Sequence, residues 1–445
     1  MTIPSAVDVV VAGGGTAGAA VAAALAGLGW EVVLVEPGLD STKRLAGELI
    51  HPPGVNDLAV LGLLETLRAA GVAPVNGFAV VPDAETAAYL LPYGDIPGVP
   101  RAGFAMDHAR LTSTLLAAAV RPGVIPWLGA RVTGLELDHR DVAVVTVTAP
   151  AGERRIRARL VVAADGSTSP LRRLAGIGHT RLRLSHMTGY VLREAPLPHP
   201  SYGNVFLGGP APTLAYAIGG DSVRVMFDVP DNPFGLEAPQ RDPGYLAALP
   251  PPFRAHVAHA MAHQPRLVCA NYSVVPETVV RGRLVLVGDA AGCCHPLTAT
   301  GLSVSTRDAV RLQHSLRDAG GDVLRATQRY AELRGGPQLT RVALAEALYQ
   351  AFVARTPEMR LVRDGILRFW ARSRRGRAAS MALLSTHEGR MSVMAVQYAR
   401  VVGYALTLLV RRRARAPRPR ALLGLGWTTL RYAMEAFRVR GASRS

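Results

Sequence analysis

Residues Asp8-Val9-Val10-Val11-Ala12 form a short β-branched run that leads into Gly13-Gly14-Gly15-Thr16-Ala17-Gly18 and then into the alanine-rich stretch 19–28. No other part of the chain limits the possible folds as much. β-Branched residues suit a buried parallel strand, and alanine is the best helix former. A second strand, 31–35, ends at Glu36. Strand, G-x-G-x-x-G, helix, strand and acid together make a βαβ unit for a dinucleotide. Gly13 permits the tight turn, Gly15 lets backbone approach a pyrophosphate, and Gly18 lets helix pack on strand. The diphosphate is expected at the helix N-terminus, beside Thr16 and Ala17, where free N–H groups and the helix dipole favour an anion. Glu36 falls where an acid binds a ribose hydroxyl.

Two later segments narrow the dinucleotide to FAD. The strand-like run 159–164 leads into Asp165-Gly166-Ser167-Thr168-Ser169, followed by Leu171-Arg172-Arg173. The apolar run 283–287 leads into Gly288-Asp289-Ala290-Ala291-Gly292. The first resembles the DG motif and the second the GD motif of flavoprotein monooxygenases with the para-hydroxybenzoate hydroxylase fold. That resemblance implies that Asp165 and Asp289 serve FAD, with Asp289 on its ribityl chain. It also implies an α/β fold: a Rossmann-like FAD-binding domain, an antiparallel β-sheet substrate domain and C-terminal helices.

A closer resemblance follows from two other stretches. Arg44-Leu45-Ala46-Gly47-Glu48-Leu49-Ile50-His51-Pro52-Pro53-Gly54 is similar to R-x-x-G-E-x-x-Q-P-G-G, and His295-Pro296-Leu297-Thr298-Ala299-Thr300-Gly301-Leu302 to H-P-L-T-G-G-G-M. Both patterns belong to squalene epoxidases. Carried over position by position, Thr16, Ala17 and Glu36 would contact the adenosine diphosphate. Arg44, Leu49, Arg110, Val132, Asp289, Pro296, Gly301 and Leu302 would line the rest of FAD. Arg44 and Arg110 also suit a diphosphate as cations. The chain departs from the pattern at His51 (glutamine in the family), at Phe78 (tyrosine in the family) and at Ala299-Thr300 in the triple glycine. His51, Phe78 and Tyr93 are the expected substrate-pocket residues; His51 either donates a hydrogen bond there or is a packed residue. The departures point away from squalene itself.

The implied chemistry is epoxidation of an alkene in a lipophilic isoprenoid or terpenoid by a flavin C4a-hydroperoxide formed with O2. It needs no catalytic side chain, and the chain has no G-x-S-x-G nucleophile elbow. NAD(P)H is the expected electron donor, directly or through a flavin or ferredoxin reductase, because no second G-x-G-x-x-G is present. The alternatives are an aromatic hydroxylase, a polyprenyl reductase, and a non-catalytic FAD-binding membrane scaffold. Cys293-Cys294-His295 lacks metal-ligand spacing, so no metal is expected. His256, His259 and His263 read as one face of a helix with no acid beside them.

The net charge of +17 first suggests nucleic acid or an anionic surface. Residues 341–445, however, hold 21 arginines against five acids, which leaves residues 1–340 close to neutral. No nucleic-acid motif accompanies the arginines. The apolar run 391–410, the loop Arg411-Arg412-Arg413-Ala414-Arg415-Ala416-Pro417-Arg418-Pro419-Arg420 and the amphipathic run 421–437 suit a monotopic helical hairpin in a membrane interface. The other reading is a helix pair packed on the body with a solvated arginine loop. The expected organisation is FAD-binding segments 1–75, 105–184 and 275–340, substrate segments 76–104 and 185–274, and a membrane-associating region 341–445. Three cysteines and no basic, signal-like N-terminus suggest a cytoplasmic chain, peripheral on the membrane face.

Overall fold

The computed structural model describes residues 3–38, 45–139, 141–230, 239 and 242–411. The chain divides into two compact units. One comprises Met1–Ala73, Phe104–Arg183 and Tyr272–Gly335; the other comprises Pro74–Gly103, Leu184–Asn271 and the described residues from Gly336 on.

The first unit is built on an eight-stranded sheet. Its parallel centre runs Leu284–Leu286, Gly152–Ala163, Ala6–Ala12, Val32–Glu36, Val124–Leu128. Val10 lies between Val33 and Val161, and Val9, Val10 and Val11 are fully buried. Burial on both faces explains why these strands read as unbroken apolar runs. On one face the helices Thr16–Ala26, His108–Ala119 and Gly301–Asp318 close a core with Val9, Val11, Leu34, Leu160 and Val162. On the other, an antiparallel meander, Arg131–Glu136 and Ala143–Ala149, extends from Gly152–Ala163 and covers Val10, Val33 and Val161.

A seven-stranded sheet has the order Leu267–Pro276, His179–Arg193, Ser222–Val229, Thr213–Ala217, Gly203–Phe206, Gly77–Val81, Tyr89–Pro92. Only Gly203–Phe206 with Gly77–Val81 is parallel among the pairs whose register is described. On one face Phe206, Val223, Val225 and Phe227 pack against Tyr245, Phe253 and Val257 of the helices Pro243–Ala247 and Pro251–His263. His259 and His263 stack on the latter helix at 4.3 Å.

The alternation in Ser222–Val229 suggests one wet face, but both faces are covered: Arg224 is 2% and Asp228 0% exposed. The Asp228 carboxylate accepts from Ser185 Oγ at 2.6 Å and from Tyr349 OH at 2.9 Å, and Asn271 Nδ2 donates to Ser185 Oγ at 2.8 Å. Tyr349 belongs to the 31-residue helix Val323–Val353, so a helix from the C-terminal part of the chain covers the polar side of the strand.

The expected boundary at 340/341 and the division between Gly335 and Gly336 both fall inside that helix, which continues through Gly335, Gly336 and Pro337. The described residues from Gly336 on group with the segments Pro74–Gly103 and Leu184–Asn271 rather than as a region of their own. The apolar run near 391 is the helix Met391–Arg411, which packs on Pro357–Arg372. A Cβ at Gly365 would stand 2.9 Å from Ala405 Cβ, so the glycine permits the close approach. Phe369 meets Tyr404 with ring centroids 5.6 Å apart. Val396 and Leu406 stay exposed on the outer face. Among the described residues no helix is long and apolar enough to cross a membrane. The arginine loop 412–420 and the run 421–437 lie outside the described residues.

Candidate functional site

The glycine motif supplies the first part of the site. Gly13 has φ +104°, and a Cβ there would overlap the Ala164 carbonyl. A Cβ at Gly18 would overlap the Gly13 carbonyl, so the helix rests directly on the turn. At Gly15 nothing lies within 4 Å of such an atom, which leaves room for a phosphate. Gly15 caps Thr16–Ala26 without a side-chain hydrogen bond. The first N–H groups are therefore available to an anion. Thr16 is buried, and its Oγ1 has no partner among the described residues. Glu36 is buried and accepts from Gly14 N at 2.5 Å and Gly38 N at 2.7 Å.

The two motif aspartates differ in exposure. Asp165 accepts from Ser169 Oγ at 2.6 Å and from Leu171 N at 2.9 Å, and so caps its own loop. Burial pushes its pKa up against these bonds and the nearby Arg172. Asp289, by contrast, is exposed between buried Gly288 and Ala290. A Cβ at Gly288 would stand 2.7 Å from Ala17 Cβ, so the GD turn abuts the first helix. The turn is held from behind by two buried arginines. Arg172, 0% exposed, donates to Ala290 O at 2.8 Å and Ser167 O at 2.9 Å. Arg334 donates to Ala291 O at 2.8 Å and pairs with buried Asp308 at 3.0 Å, while Asp308 accepts from Gly288 N at 3.0 Å. Burial, the largest single influence, lowers the Arg334 pKa; Asp308 and Tyr330 together more than offset it, and the net direction is up.

The helix Gly301–Asp318 follows the short turn Pro296–Thr298, again without a side-chain cap. Pro296 and Gly301 are exposed there and Leu302 is buried, in contact range of Gly47. A Cβ at Gly301 would stand 4.0 Å from Asp289 Oδ1, which places the GD carboxylate beside this helix end. His51 belongs to the same unit. It is completely buried, and its Nε2–H donates to Thr298 O at 2.9 Å. Burial pulls its pKa down to about 4, only partly opposed by that bond.

The remaining residues expected from sequence are spread more widely. Leu49 is buried and pairs with Ala105. Arg110 is exposed in the first turn of His108–Ala119, which Asp107 caps. Val132 is half-buried on the meander, opposite Val147. Arg44 lies outside the described residues. Phe78 and Tyr93 belong to the second unit and meet edge to face at 6.4 Å, with the Phe78 ring in the space where a Gly203 side chain would stand. Sequence reasoning missed Asp308 and Arg334, which no motif spacing marks. Arg172 was visible only as part of the DG segment.

The residues present fit FAD. Two uncapped helix ends, the orphaned Thr16 hydroxyl, the open space at Gly15 and the exposed Asp289 are what a diphosphate, a ribityl chain and a flavin pyrimidine ring require.

Comparison with known proteins agrees. The squalene epoxidase family matches residues 157–423, and the FAD dependent oxidoreductase family matches residues 77–232. A squalene epoxidase of Aspergillus fumigatus is 29% identical over 82% of this chain and 79% of its own length. A squalene monooxygenase of Mus musculus is 27% identical over 94% of this chain and 75% of its own. Among solved structures, a probable FAD-dependent monooxygenase from Pseudomonas aeruginosa superposes with a TM-score of 0.68 at 22% identity, covering 79% of this chain and 97% of that one. The p-nitrophenol 4-monooxygenase of Pseudomonas putida gives 0.69 at 19% identity, covering 89% and 99%. At these identities the solved structures speak for the fold.

Proposed function

The chain belongs to the squalene epoxidase family and is an FAD-dependent monooxygenase, and from that premise we propose that it epoxidises an alkene in a lipophilic isoprenoid substrate. The closeness of the exposed Asp289 to the uncapped start of Gly301–Asp318 supports the flavin part of the proposal, and the squalene epoxidase family match supports the substrate class. FAD, when bound, supplies the activation of O2, with NAD(P)H as the electron donor.

The chain's own residues bind and orient. Gly15, Thr16 and the first N–H groups of Thr16–Ala26 would hold the diphosphate, and Glu36 the adenosine ribose. Each Glu36 carboxylate oxygen accepts one backbone N–H, from Gly14 or from Gly38, and has acceptor capacity left for a ribose hydroxyl. Asp289 would hold the ribityl chain, with the N–H groups at Gly301 and Leu302 facing the flavin pyrimidine. Arg110, Leu49, Val132, Pro296 and Arg44 are proposed as further contacts. Asp165 supports the DG loop, and its contribution to FAD is through that loop. No side chain is required as nucleophile or general base. The departure at Phe78 favours a terpenoid other than squalene.

Product analysis by mass spectrometry tests the reading. Enzyme, NADPH, a reductase and 18O2 would be offered a panel of linear and prenylated isoprenoids. One 18O incorporated at an alkene supports epoxidation; a saturated product would indicate a reductase, and a phenol an aromatic hydroxylase. We further propose a peripheral position on the cytoplasmic membrane face, supported by the arginines of 411–420, with electrons delivered directly by NAD(P)H or by a reductase.

A further inference from the structure

We propose that His51 is a positioning residue for the flavin loop, and that its bond to Thr298 holds Ala299 in a conformation alanine does not favour. The inference rests on the flavin assignment above.

The segment from His51 to Asp57 is fastened to the loop and the following helix at three heights. His51 Nε2–H donates to Thr298 O and the His51 backbone N–H to Ser303 Oγ, both at 2.9 Å. At Gly54 a Cβ would stand 2.9 Å from Ser303 Cα, so the two backbones approach closely. Arg307 Nε donates to buried Asp57 at 2.6 Å.

Between these fixed points lies Ala299, with φ +51° and ψ 24°. For an L-residue the left-handed region crowds Cβ against the following carbonyl oxygen, a handicap of about tenfold in population. In the family pattern this stretch is glycine, which carries no such handicap. The Thr298 carbonyl and the Ala299 N–H share one peptide plane, and rotation of that plane about the Ala299 N–Cα bond is what φ measures. His51 holds the plane by its oxygen, and Pro296 O holds it by accepting from Ala299 N at 2.8 Å. Two residues later the helix begins with its N–H groups uncapped. The orientation of this plane therefore sets where those groups point. A buried, neutral imidazole suits the task, because it keeps its Nε2–H without carrying charge into the core.

The experiment uses full-length enzyme stripped of FAD and titrated with FAD by flavin fluorescence. Variants are His51→Leu, Ala299→Gly and the two together. His51→Leu should weaken FAD binding about tenfold, as the left-handed handicap is no longer opposed. Ala299→Gly should bind at least as tightly as wild type. The double variant should recover most of the loss, since glycine holds the plane unaided. Unchanged affinity in His51→Leu would overturn the inference and leave His51 as a substrate contact or packed residue. Equal losses in single and double variants would also overturn it, because they indicate general damage. Should His51→Leu not fold alone, a double variant that also fails to fold or bind overturns it. A wild-type chain that binds no FAD would instead refute the flavoenzyme reading, and this inference with it.

Discussion

Replacing Arg334 with methionine should strongly destabilise the turn Gly288–Ala291. Its side chain is 2% exposed and that of Asp308 0%. Nε lies 3.1 and 3.0 Å from the two carboxylate oxygens, Nη1 2.8 Å from Ala291 O, and Nη2 3.4 Å from Gly288 O. Methionine fills much of the volume and donates nothing. Asp308 would keep Gly288 N–H at 3.0 Å, with Arg311 more remote at 3.8 Å. Breaking a buried pair this way costs about 3–5 kcal/mol, because the Asp308 charge stays buried with only the more remote Arg311 opposite it. The exposed pair Arg68–Glu65, with side chains 56% and 81% accessible, is the control, and Arg68→Met should cost at most about 1 kcal/mol. In a unit of this size each kcal/mol lowers Tm by roughly 2–4 °C. Thermal unfolding with FAD in excess should therefore place Arg334→Met about 6–20 °C below wild type, and the Arg68 control within a few degrees. The double variant Asp308→Leu/Arg334→Met separates charge from positioning. Removing both charges should restore part of the Tm, since a buried pair is often replaceable by apolar groups. FAD affinity should stay low, because the carbonyls of Gly288 and Ala291 still lack their donor. An Arg334→Met enzyme that melts with the control would refute the reasoning.

Three further outcomes are expected. Asp289→Ala should yield folded but flavin-poor protein, read from the ratio of absorbance at 450 and 280 nm, and full occupancy would remove Asp289 from the site. His51 gives a pH signature: its folded pKa of about 4 lies below the ordinary 6.5. Between these values the unfolded chain takes up a proton that the folded chain refuses. Stability should therefore rise with pH across this window, by about 3 kcal/mol in all, and lie flat outside it as far as this group is concerned. His51→Leu should remove that rise, and an undiminished slope in the variant would assign it to other groups. Deletion of residues 412–445 should weaken binding to anionic liposomes while FAD stays bound. The cut spares Met391–Arg411, which packs on Pro357–Arg372. Unchanged liposome binding would dismiss the arginine-rich end as a membrane address.

What could be read from the chain alone was whatever depends on near neighbours. The conformations at Gly13 and Gly18 are set by a local turn, in which a Cβ at either position would overlap the Ala164 or the Gly13 carbonyl. Strand 6–12 and the helix after it follow from residue type and spacing, and the family from short contiguous motifs. The run after 391 was legible as a helix because its apolar residues are local. What covers it was not, since the glycine that admits it, Gly365, lies on another helix. The same limit applies to the alternating strand 222–229, whose polar side meets Tyr349, 121 positions away from Asp228.

The amino-acid sequence thus determined the nucleotide fold, the cofactor and the family, because glycine conformations, helix ends and strand periods are set within a few residues. Only the tertiary structure decided which side chains hold the turns at Gly288–Ala291 and Pro296–Thr298. His51 reaches Thr298 across 247 positions and Arg334 reaches Ala291 across 43. A histidine expected to face substrate donates to a carbonyl, and an arginine marked by no motif holds the GD turn. A hydrogen bond forms wherever folding brings donor and acceptor together, and one-dimensional spacing carries no record of that approach.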